Sequence, residues 1–193
     1  MKRILIIILL VATFVAKADE RATKRLEAVA KHYSEMGSYT IEFNLKAGGG
    51  VQKGVMMVSG SNTYMQIADT EIYVQDGLRY EVHNKTKEVI VDKADLYEKE
   101  LFSPNSDLSK FSSEYNIEET DMGGATAVRL TPKRSGETIC VVLSADGLGV
   151  AKVLYTSGQD RAEVQVLRCQ KGGVSLTQFS KKRYSGYETI DFR

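Results

Sequence analysis

The sequence of 193 residues contains no tryptophan, and it has only two histidines and two cysteines. A protein metal site needs His, Cys, Asp or Glu side chains that converge on one ion. His32 falls in a predicted helix beside Tyr33, and His83 has only Glu81 near it in sequence. We therefore interpret both histidines as ordinary surface residues and expect no metal and no cofactor.

The sequence also lacks the motifs of common catalytic and nucleic-acid-binding sites. No Gly-x-Ser-x-Gly segment occurs, and Gly48-Gly49-Gly50 is not followed by the Lys-Ser or Lys-Thr of a phosphate loop. The adjacent Glu118 and Glu119 point to opposite faces of a predicted strand and cannot form an acid–base pair. The 26 basic residues form no stripe and are balanced by 25 acidic residues. We expect a protein without catalytic residues, not an enzyme, and without a nucleic-acid partner.

The two cysteines, Cys140 and Cys169, fall in predicted strands with a further strand between them in sequence. In a simple meander those two strands are not neighbours, although an exported protein is able to oxidise its thiols. The sequence favours two buried free thiols and leaves their redox state open.

The first 18 residues have the three parts of a secretory signal peptide. Lys2 and Arg3 precede an apolar run over residues 4–15, and Ala16-Lys17-Ala18 places small residues at the cleavage positions. The run is shorter than the roughly 20 residues of a transmembrane helix, so a cleaved signal is favoured over an N-terminal membrane anchor. No cysteine stands near the cleavage point to carry a lipid. The sequence predicts a periplasmic protein with a single domain over residues 19–193.

The rest of the chain has the pattern of one helix followed by many short strands. Residues 22–36 repeat apolar side chains at spacings of three and four, which predicts a helix ended by Gly37. Apolar and polar residues then alternate, as in half-buried antiparallel strands, with turns such as Asp76-Gly77 between them. The predicted strands cover residues 39–45, 54–59, 63–68, 71–75, 78–84, 88–92, 115–119, 125–131, 138–144, 149–156, 163–170 and 174–181.

Between residues 93 and 113 the alternation stops, and large apolar residues stand among charges around Pro104. We interpret this segment as short helices and loops packed over the sheet. The predicted fold class is mainly β (α+β): an unclosed, strongly curved antiparallel β-barrel with an N-terminal helix and short helical lid elements.

The ten tyrosines and the flexible methionines, such as Met56, Met57 and Met65, allow two interpretations. Most of these residues serve to fill the core in any fold of this size. Because methionine is unbranched and repacks around irregular guests, the same residues also suit an adaptable apolar cavity.

Several segments, in their order and spacing, resemble one known family across nearly the whole chain after residue 19. They are Ser38-Tyr39-Thr40-Ile41-Glu42-Phe43, Gly54-Val55-Met56-Met57-Val58, Val74-Gln75-Asp76-Gly77, Tyr115-Asn116-Ile117, Val128-Arg129-Leu130-Thr131-Pro132-Lys133, and the tail from Tyr184-Ser185-Gly186-Tyr187 to Ile190-Asp191-Phe192-Arg193. With these segments the chain resembles the LolA family of periplasmic outer-membrane lipoprotein carriers.

The resemblance implies an unclosed β-barrel with a helical lid over an apolar cavity. It also implies a monomeric carrier that takes acylated lipoproteins from an inner-membrane transporter to an outer-membrane receptor. Where the family has an arginine after the second strand, this chain has Ser59-Gly60-Ser61-Asn62, and Glu81 stands where the family tends to have tryptophan. The family's gating arginine therefore does not carry over. A sensor or interaction module that binds lipid or protein without shuttling is the alternative, and an enzyme acting on envelope lipid is a third hypothesis.

The residues predicted to line the lipid-binding cavity come from alternation within the strands and not from the resemblance. They are Tyr39, Ile41, Phe43, Leu45, Met65, Ile67, Ile72, Val74, Tyr80 and Val82. The predicted lid residues are Leu101, Phe102 and Phe111. For each residue taken singly, the alternative is a position in a closed core.

Overall fold

The computed structural model describes residues 20–94, 115–133, 136–172 and 175–193. Within these ranges one helix, α1 (residues 20–36), is followed by twelve strands. The strands are β1 (Ser38–Ala47), β2 (Gly50–Ser59), β3 (Asn62–Ile67), β4 (Thr70–Gln75), β5 (Leu78–His83), β6 (Glu88–Lys93), β7 (Tyr115–Asp121), β8 (Thr126–Pro132), β9 (Glu137–Leu143), β10 (Val150–Ser157), β11 (Asp160–Lys171) and β12 (Glu188–Asp191).

Helix α1 forms where the sequence repeats apolar residues at helical spacing. Leu26, Val29 and Tyr33 are buried, as that spacing requires of one helix face. Gly37 ends the helix with a φ of +68°, a left-handed conformation that glycine adopts without steric cost. Its N–H donates to the carbonyl of Ser34 at 3.1 Å.

The twelve strands belong to one sheet with the order β12-β6-β5-β4-β3-β2-β1-β11-β10-β9-β8-β7. Consecutive strands such as β1 and β2 pair antiparallel, whereas β12 pairs parallel with β6. Because the order runs from β12 to β7 without returning, the sheet is not closed. The predicted mainly-β class, with an N-terminal helix and an unclosed antiparallel sheet, is confirmed. The segment expected to form helical lid elements falls largely on residues 95–114, outside the described residues.

Contacts divide the chain into two compact units. Of the described residues, unit 1 comprises 20–29, 115–133 and 136–161, and unit 2 comprises 30–94, 162–172 and 175–193. Each unit has a buried apolar cluster of its own. The prediction of a single domain over residues 19–193 stays a prediction.

Unit 1 is built on the antiparallel strands β7 to β10. Ala127 in β8 and Cys140 and Val142 in β9 form its buried cluster. In the first turns of α1, Nε of Arg25 donates to Oε2 of Glu119 in β7 at 3.4 Å. Arg25 is largely solvated, so this ion pair adds little to stability, and the apolar cluster is the main source of cohesion in unit 1.

Strands β1 to β6 of unit 2 are joined by turns that place odd-numbered residues opposite even-numbered ones. The turn-closing pairs are Ala47↔Gly50, Ser59↔Asn62, Ile67↔Thr70, Gln75↔Leu78 and His83↔Glu88. Paired residues of an antiparallel sheet point to the same face. Each turn therefore switches the residues of a given face from odd to even or back.

The two faces of β1 to β6 are distinguished by what packs against them. The helix face bears Tyr39, whose ring lies 5.0 Å from that of Tyr33 in α1. It consists of Tyr39, Ile41, Phe43 and Leu45 in β1 and the residues paired with them across β2 to β6. The opposite face, here the tail face, is covered on β3 to β6 by the C-terminal segment, residues 175–187.

The sequence predicted a strand over residues 174–181, and this prediction is wrong for the described residues 175–181. The apolar residues Leu176 and Phe179 are three positions apart, not two, and both pack against the buried cluster of the tail face. The N–H of Phe179 donates to the side-chain oxygen of Gln75 at 2.9 Å and not to a neighbouring strand. The last strand is β12, which the strand predictions omitted.

Both cysteines are free thiols. Cys140 in β9 is buried, as predicted, and burial raises the pKa of its thiol. Cys169 in β11 is exposed, so the expectation that it is buried is wrong. All residues of the stretch 167–171 of β11, which includes Cys169, are exposed.

Gly54 of β2 makes space for the ring of Phe43, its partner in β1. A Cβ atom on Gly54 would clash with Cζ of Phe43, which is only 5% exposed. We expect Gly54→Ala to displace this ring and lower the free energy of unfolding by about 1–3 kcal/mol, the usual cost of overpacking. Urea denaturation measures the change.

Gly50→Ala in the same strand is the matched control for this variant. A Cβ there has the carbonyl of Ala47 at 3.8 Å as its nearest neighbour, an ordinary contact. Its stability should stay at or slightly above that of the unmodified protein, because alanine restricts the unfolded chain. Equal stabilities of Gly54→Ala and Gly50→Ala would show that the Phe43 ring moves aside freely.

Candidate functional site

Eight of the ten residues predicted to line a cavity share the helix face. They are Tyr39, Ile41, Phe43, Leu45, Met65, Ile67, Ile72 and Val74. The pairing connects them strand by strand, since Met56 of β2 pairs with Ile41 on one side and Met65 on the other. Side chains paired in this way have Cβ atoms roughly 4.5–5.5 Å apart. The eight residues therefore form one continuous apolar surface from β1 to β4.

The other two predicted residues, Tyr80 and Val82, lie on the tail face, which corrects the expectation that all ten share one surface. Tyr80 pairs with Tyr73, and Val82 pairs with Glu71. The physical reason is the turn at Asp76-Gly77, whose φ values of 52° and 76° are those of a type I′ hairpin. The helix-face residues of β5 are instead Arg79, Glu81 and His83.

A pocket of about 250 Å³ lies on the helix face. Its lining residues are Leu45, Gln52, Met65, Ile67, Ala68, Asp69, Thr70 and Ile72. Leu45, Met65, Ile67 and Ile72 were predicted from alternation, and they supply the apolar part of the wall. Sequence reasoning missed Gln52, Thr70 and the turn residues, because no periodicity singles them out. Pairing alone would have found Gln52, which stands opposite Leu45.

Burial divides the helix face into a closed part and an accessible part. Tyr39, Ile41, Phe43 and Val74 are buried, whereas the four apolar residues of the pocket wall are only half-buried. In the closed part, burial raises the pKa of the Tyr39 phenol far above its usual range, with smaller contributions from Tyr33 and Cys169. Among the described residues of β1 to β4, the pocket is thus a place where apolar surface of the helix face remains available to a guest.

Three polar side chains, here the polar row of Arg79, Glu81 and His83, border the pocket on β5. Nη2 of Arg79 lies 2.5 Å from Oε2 of Glu81, and Nε2 of His83 lies 3.1 Å from Oε1 of the same carboxylate. Nδ1 of His83 lies 3.5 Å from Oγ1 of Thr70, a pocket residue. The helix face therefore changes from apolar on β1 to β4 to hydrogen-bonding on β5. The sequence interpretation of His83 as an ordinary surface residue noted Glu81 near it in sequence but missed Arg79 and Thr70.

On the tail face, the carboxylate of Glu71 binds the C-terminal segment to the sheet. The hydroxyls of Tyr73, Tyr64 and Tyr184 donate to it at 2.7, 3.1 and 3.2 Å. Nη2 of Arg183 donates to it at 3.2 Å. Glu71 is 4% exposed, so these contacts replace its hydration. On β3 to β6 this face is thus covered by the protein's own chain.

The pKa of the Glu71 carboxyl is lowered even though burial, the largest single effect, raises it. Hydrogen bonds from Asn84, Tyr73 and Tyr64 and the charge of Arg183 favour the carboxylate and together outweigh burial. Burial and the contact with Glu71 raise the pKa of Tyr64 to about 12. At neutral pH the cluster is therefore an ionised acceptor surrounded by neutral and cationic donors.

The arrangement on the helix face is suited to apolar binding. Within the described part of the chain, no group of three or more His, Cys, Asp or Glu side chains is placed to hold a metal ion. The predicted lid residues Leu101, Phe102 and Phe111 lie outside the described residues. None of the helices in the described ranges is long and apolar enough to cross a membrane.

Comparison with known proteins gives similarity of fold. No protein-family model matches the chain, and no curated protein is similar to it in sequence. The chain is similar to an uncharacterized conserved protein from Thermus thermophilus, with 7% identity, 89% of this chain and 99% of that chain covered, and a TM-score of 0.55. At that identity the similarity shows the fold alone.

Two further solved structures match at TM-scores below 0.5. The structure of the MucA/MucB complex of Pseudomonas aeruginosa matches with 16% identity, 85% of this chain and 60% of that chain covered, and a TM-score of 0.48. An outer membrane lipoprotein-sorting protein domain from Vibrio parahaemolyticus matches with 9% identity, 89% and 97% covered, and a TM-score of 0.45. This chain thus spans less than two thirds of the matched chain of the MucA/MucB complex.

The Glu71 cluster predicts how stability depends on pH. Because the folded-state pKa of Glu71 is lowered, its stabilisation is fully present above the unfolded-state value of about 4.3 and is lost as pH falls through the folded-state pKa. We expect Glu71→Gln to lose at least about 1–3 kcal/mol at pH 7, the cost of one buried donor left without a good acceptor. Urea denaturation at a series of pH values measures both effects.

Glu42→Gln is the control for the Glu71 variant, because Glu42 is an exposed carboxylate. Its stability should follow that of the unmodified protein at every pH. The Glu71→Gln curve should approach the curve of the unmodified protein in acid, where both lack the charge. Parallel curves at all pH values would contradict the role given to the Glu71 carboxylate.

Proposed function

We propose that this protein is a periplasmic carrier that binds acyl chains of lipoproteins, or of another lipid, on the helix face and moves them toward the outer membrane. The observation that carries the proposal is the pocket of about 250 Å³, whose apolar wall consists of Leu45, Met65, Ile67 and Ile72. These residues were predicted as lipid-binding from alternation alone. The proposed activity is binding and transfer, without a chemical reaction.

The free energy for binding comes from the half-buried apolar wall of the pocket. Each methylene group that leaves water contributes roughly 0.8 kcal/mol. The pocket is somewhat smaller than the roughly 300–1,000 Å³ of ordinary ligand sites, so it encloses only part of a long acyl chain. The flexible side chain of Met65 can repack around such a chain. A loose fit of this kind suits a carrier, which has to release its cargo.

The direction of transport and the partners rest on the resemblance to the LolA family. An inner-membrane transporter would load the protein and an outer-membrane receptor would unload it. The signal peptide that would export the chain, residues 1–18, lies outside the described residues. Because Ser59-Gly60-Ser61-Asn62 contains no arginine, any gating of the cavity uses residues other than those of the family's standard carriers.

The alternative function is a sensor or interaction module that binds a lipid or protein ligand and keeps it. The departures at Ser59-Gly60-Ser61-Asn62 and at Glu81, which belongs to the polar row, favour this alternative over a standard carrier. A transfer assay separates the two functions. A carrier loaded with a fluorescent acyl probe should pass it to acceptor vesicles, whereas a sensor should retain it.

Native mass spectrometry of the protein from residue 19 onward, purified from a bacterial periplasm, tests the proposal directly. We expect an acyl-bearing species that co-purifies in stoichiometric amount and is recovered by lipid extraction. A mass without ligand, together with no uptake of a fluorescent fatty-acid probe, would contradict acyl binding.

Met65→Glu is the variant that tests the location of the site. Met65 is half-buried in the pocket wall, so a carboxylate there should weaken binding of a fluorescent fatty acid at least about tenfold, since a buried charge needs a partner. Val51→Glu is the matched control, because Val51 in β2 is 61% exposed, points to the tail face and stands opposite Lys46. Equal loss of binding in both variants would place the ligand elsewhere.

A further inference from the structure

The polar row stands on the same face as the pocket and one strand beyond its wall. Glu81 pairs with Ile72 and His83 pairs with Thr70, and both partners line the pocket. Neighbouring strands are about 4.8 Å apart. A ligand whose apolar part lies over Ile72 and extends across the strands toward β5 therefore brings its other end against the polar row.

The charges within the polar row neutralise each other. Arg79 and Glu81 are in contact at 2.5 Å, and their side chains are 18% and 22% exposed. An ionic head group that enters this shielded place loses hydration and gains no net opposite charge. Three further carboxylates lie on this face: Asp69 in the pocket wall, Glu88 opposite His83 and Asp92 opposite Arg79. Asp69 and Asp92 are exposed, so water and salt screen their charges, and Glu88 accepts a hydrogen bond from Thr86 at 2.6 Å. An ionised head group of either sign is therefore disfavoured here.

An uncharged head group, in contrast, finds partners for its hydrogen bonds. If the neutral imidazole of His83 donates from Nε2 to Glu81, its Nδ1 accepts the hydroxyl proton of Thr70. The oxygen of Thr70 then remains an acceptor at the pocket. Gln52, also in the pocket wall, carries an amide that both donates and accepts. A hydroxyl or amide group exchanges its hydrogen bonds with water for hydrogen bonds with these residues at little net cost.

We propose that the helix face binds an amphiphile in one orientation, with the acyl chain over β1 to β4 and an uncharged, hydrogen-bonding head group against the polar row. Arg79 and Glu81 act as specificity residues that exclude ionised head groups. This inference rests on the proposed acyl-binding function and adds to it the chemical class of the ligand.

Three probes that share one acyl length and differ in the head group test the proposal. They are monolauroylglycerol, laurate and dodecylamine, each titrated into the full protein at neutral pH below its micelle concentration, with binding followed by calorimetry. We expect the dissociation constant of monolauroylglycerol to be at least about tenfold lower than those of the two ions, a difference of about 1.4 kcal/mol.

Two charge variants predict the direction in which the head-group preference changes. Glu81→Gln removes the carboxylate that neutralises Arg79, so the ratio of the laurate and monolauroylglycerol affinities should rise at least about fivefold. Arg79→Gln leaves Glu81 without that cation and should instead raise the relative affinity for dodecylamine. Glu42→Gln, an exposed change on the tail face, should leave all three affinities as they are.

The outcomes separate this inference from the function on which it rests. If the three probes bind equally, or if the charge variants leave the ratios unchanged, the head-group inference is wrong while acyl binding stands. If none of the probes binds, acyl binding itself is wrong and the inference falls with it. Because ratios within one variant are compared, a general loss of stability in Glu81→Gln or Arg79→Gln does not mimic the predicted shifts.

Discussion

Cross-strand pairing through short turns is the constraint on which the rest of unit 2 depends. Every turn from β1 to β6 closes between an odd and an even residue, so the face of each side chain follows from the turn lengths. A slip of one residue at Asp76-Gly77 would exchange the faces of β5 and β6. Tyr80 and Val82 would then leave the tail face, and the polar row would replace them in a buried cluster. The location of the pocket and the composition of its border are both consequences of this register.

On the tail face of β3 to β6, the same sheet is covered by another part of the chain. Residues 175–187 cover it, the rings of Phe179 and Tyr80 stack with centroids 4.0 Å apart, and Glu71 accepts hydrogen bonds from both sheet and tail. A buried carboxylate that loses a partner is strongly destabilising. The hydrogen bonds to Glu71 therefore favour this one position of the C-terminal segment on the sheet. Because this cover lies on β3 to β6 of the tail face, the pocket of β1 to β4 lies on the opposite, helix face.

The sequence predicted the secondary structure better than it predicted the face on which each side chain lies. The helix before Gly37 and most strands followed from periodicity, because burial on one side imposes it. Eight of the ten predicted cavity residues share a face for the same reason. Alternation, however, shows only which residues of one strand point to the same face. It does not show which face that is, and parts of β4 to β6 are apolar on both faces. Tyr80 and Val82 were therefore assigned to the wrong face. The length of the two-residue turn at Asp76-Gly77 determines the face to which Tyr80 and Val82 point. The Glu71 cluster brings together residues more than a hundred positions apart, and no local pattern reports such contacts.

The helix face combines a closed core and an open pocket along the same strands, and burial separates the two. Tyr39 and Ile41 are buried near α1, whereas Leu45, at the other end of the same row, is only half-buried and reaches the pocket. A substitution near Tyr39 therefore acts on folding first, because a cavity or strain there cannot relax into solvent. A substitution near Leu45 acts first on whatever occupies the pocket. Alternation could not separate a closed core from an open pocket, and the two lie at different ends of one strand. The proposed lipid site therefore needs no second apolar surface on this sheet.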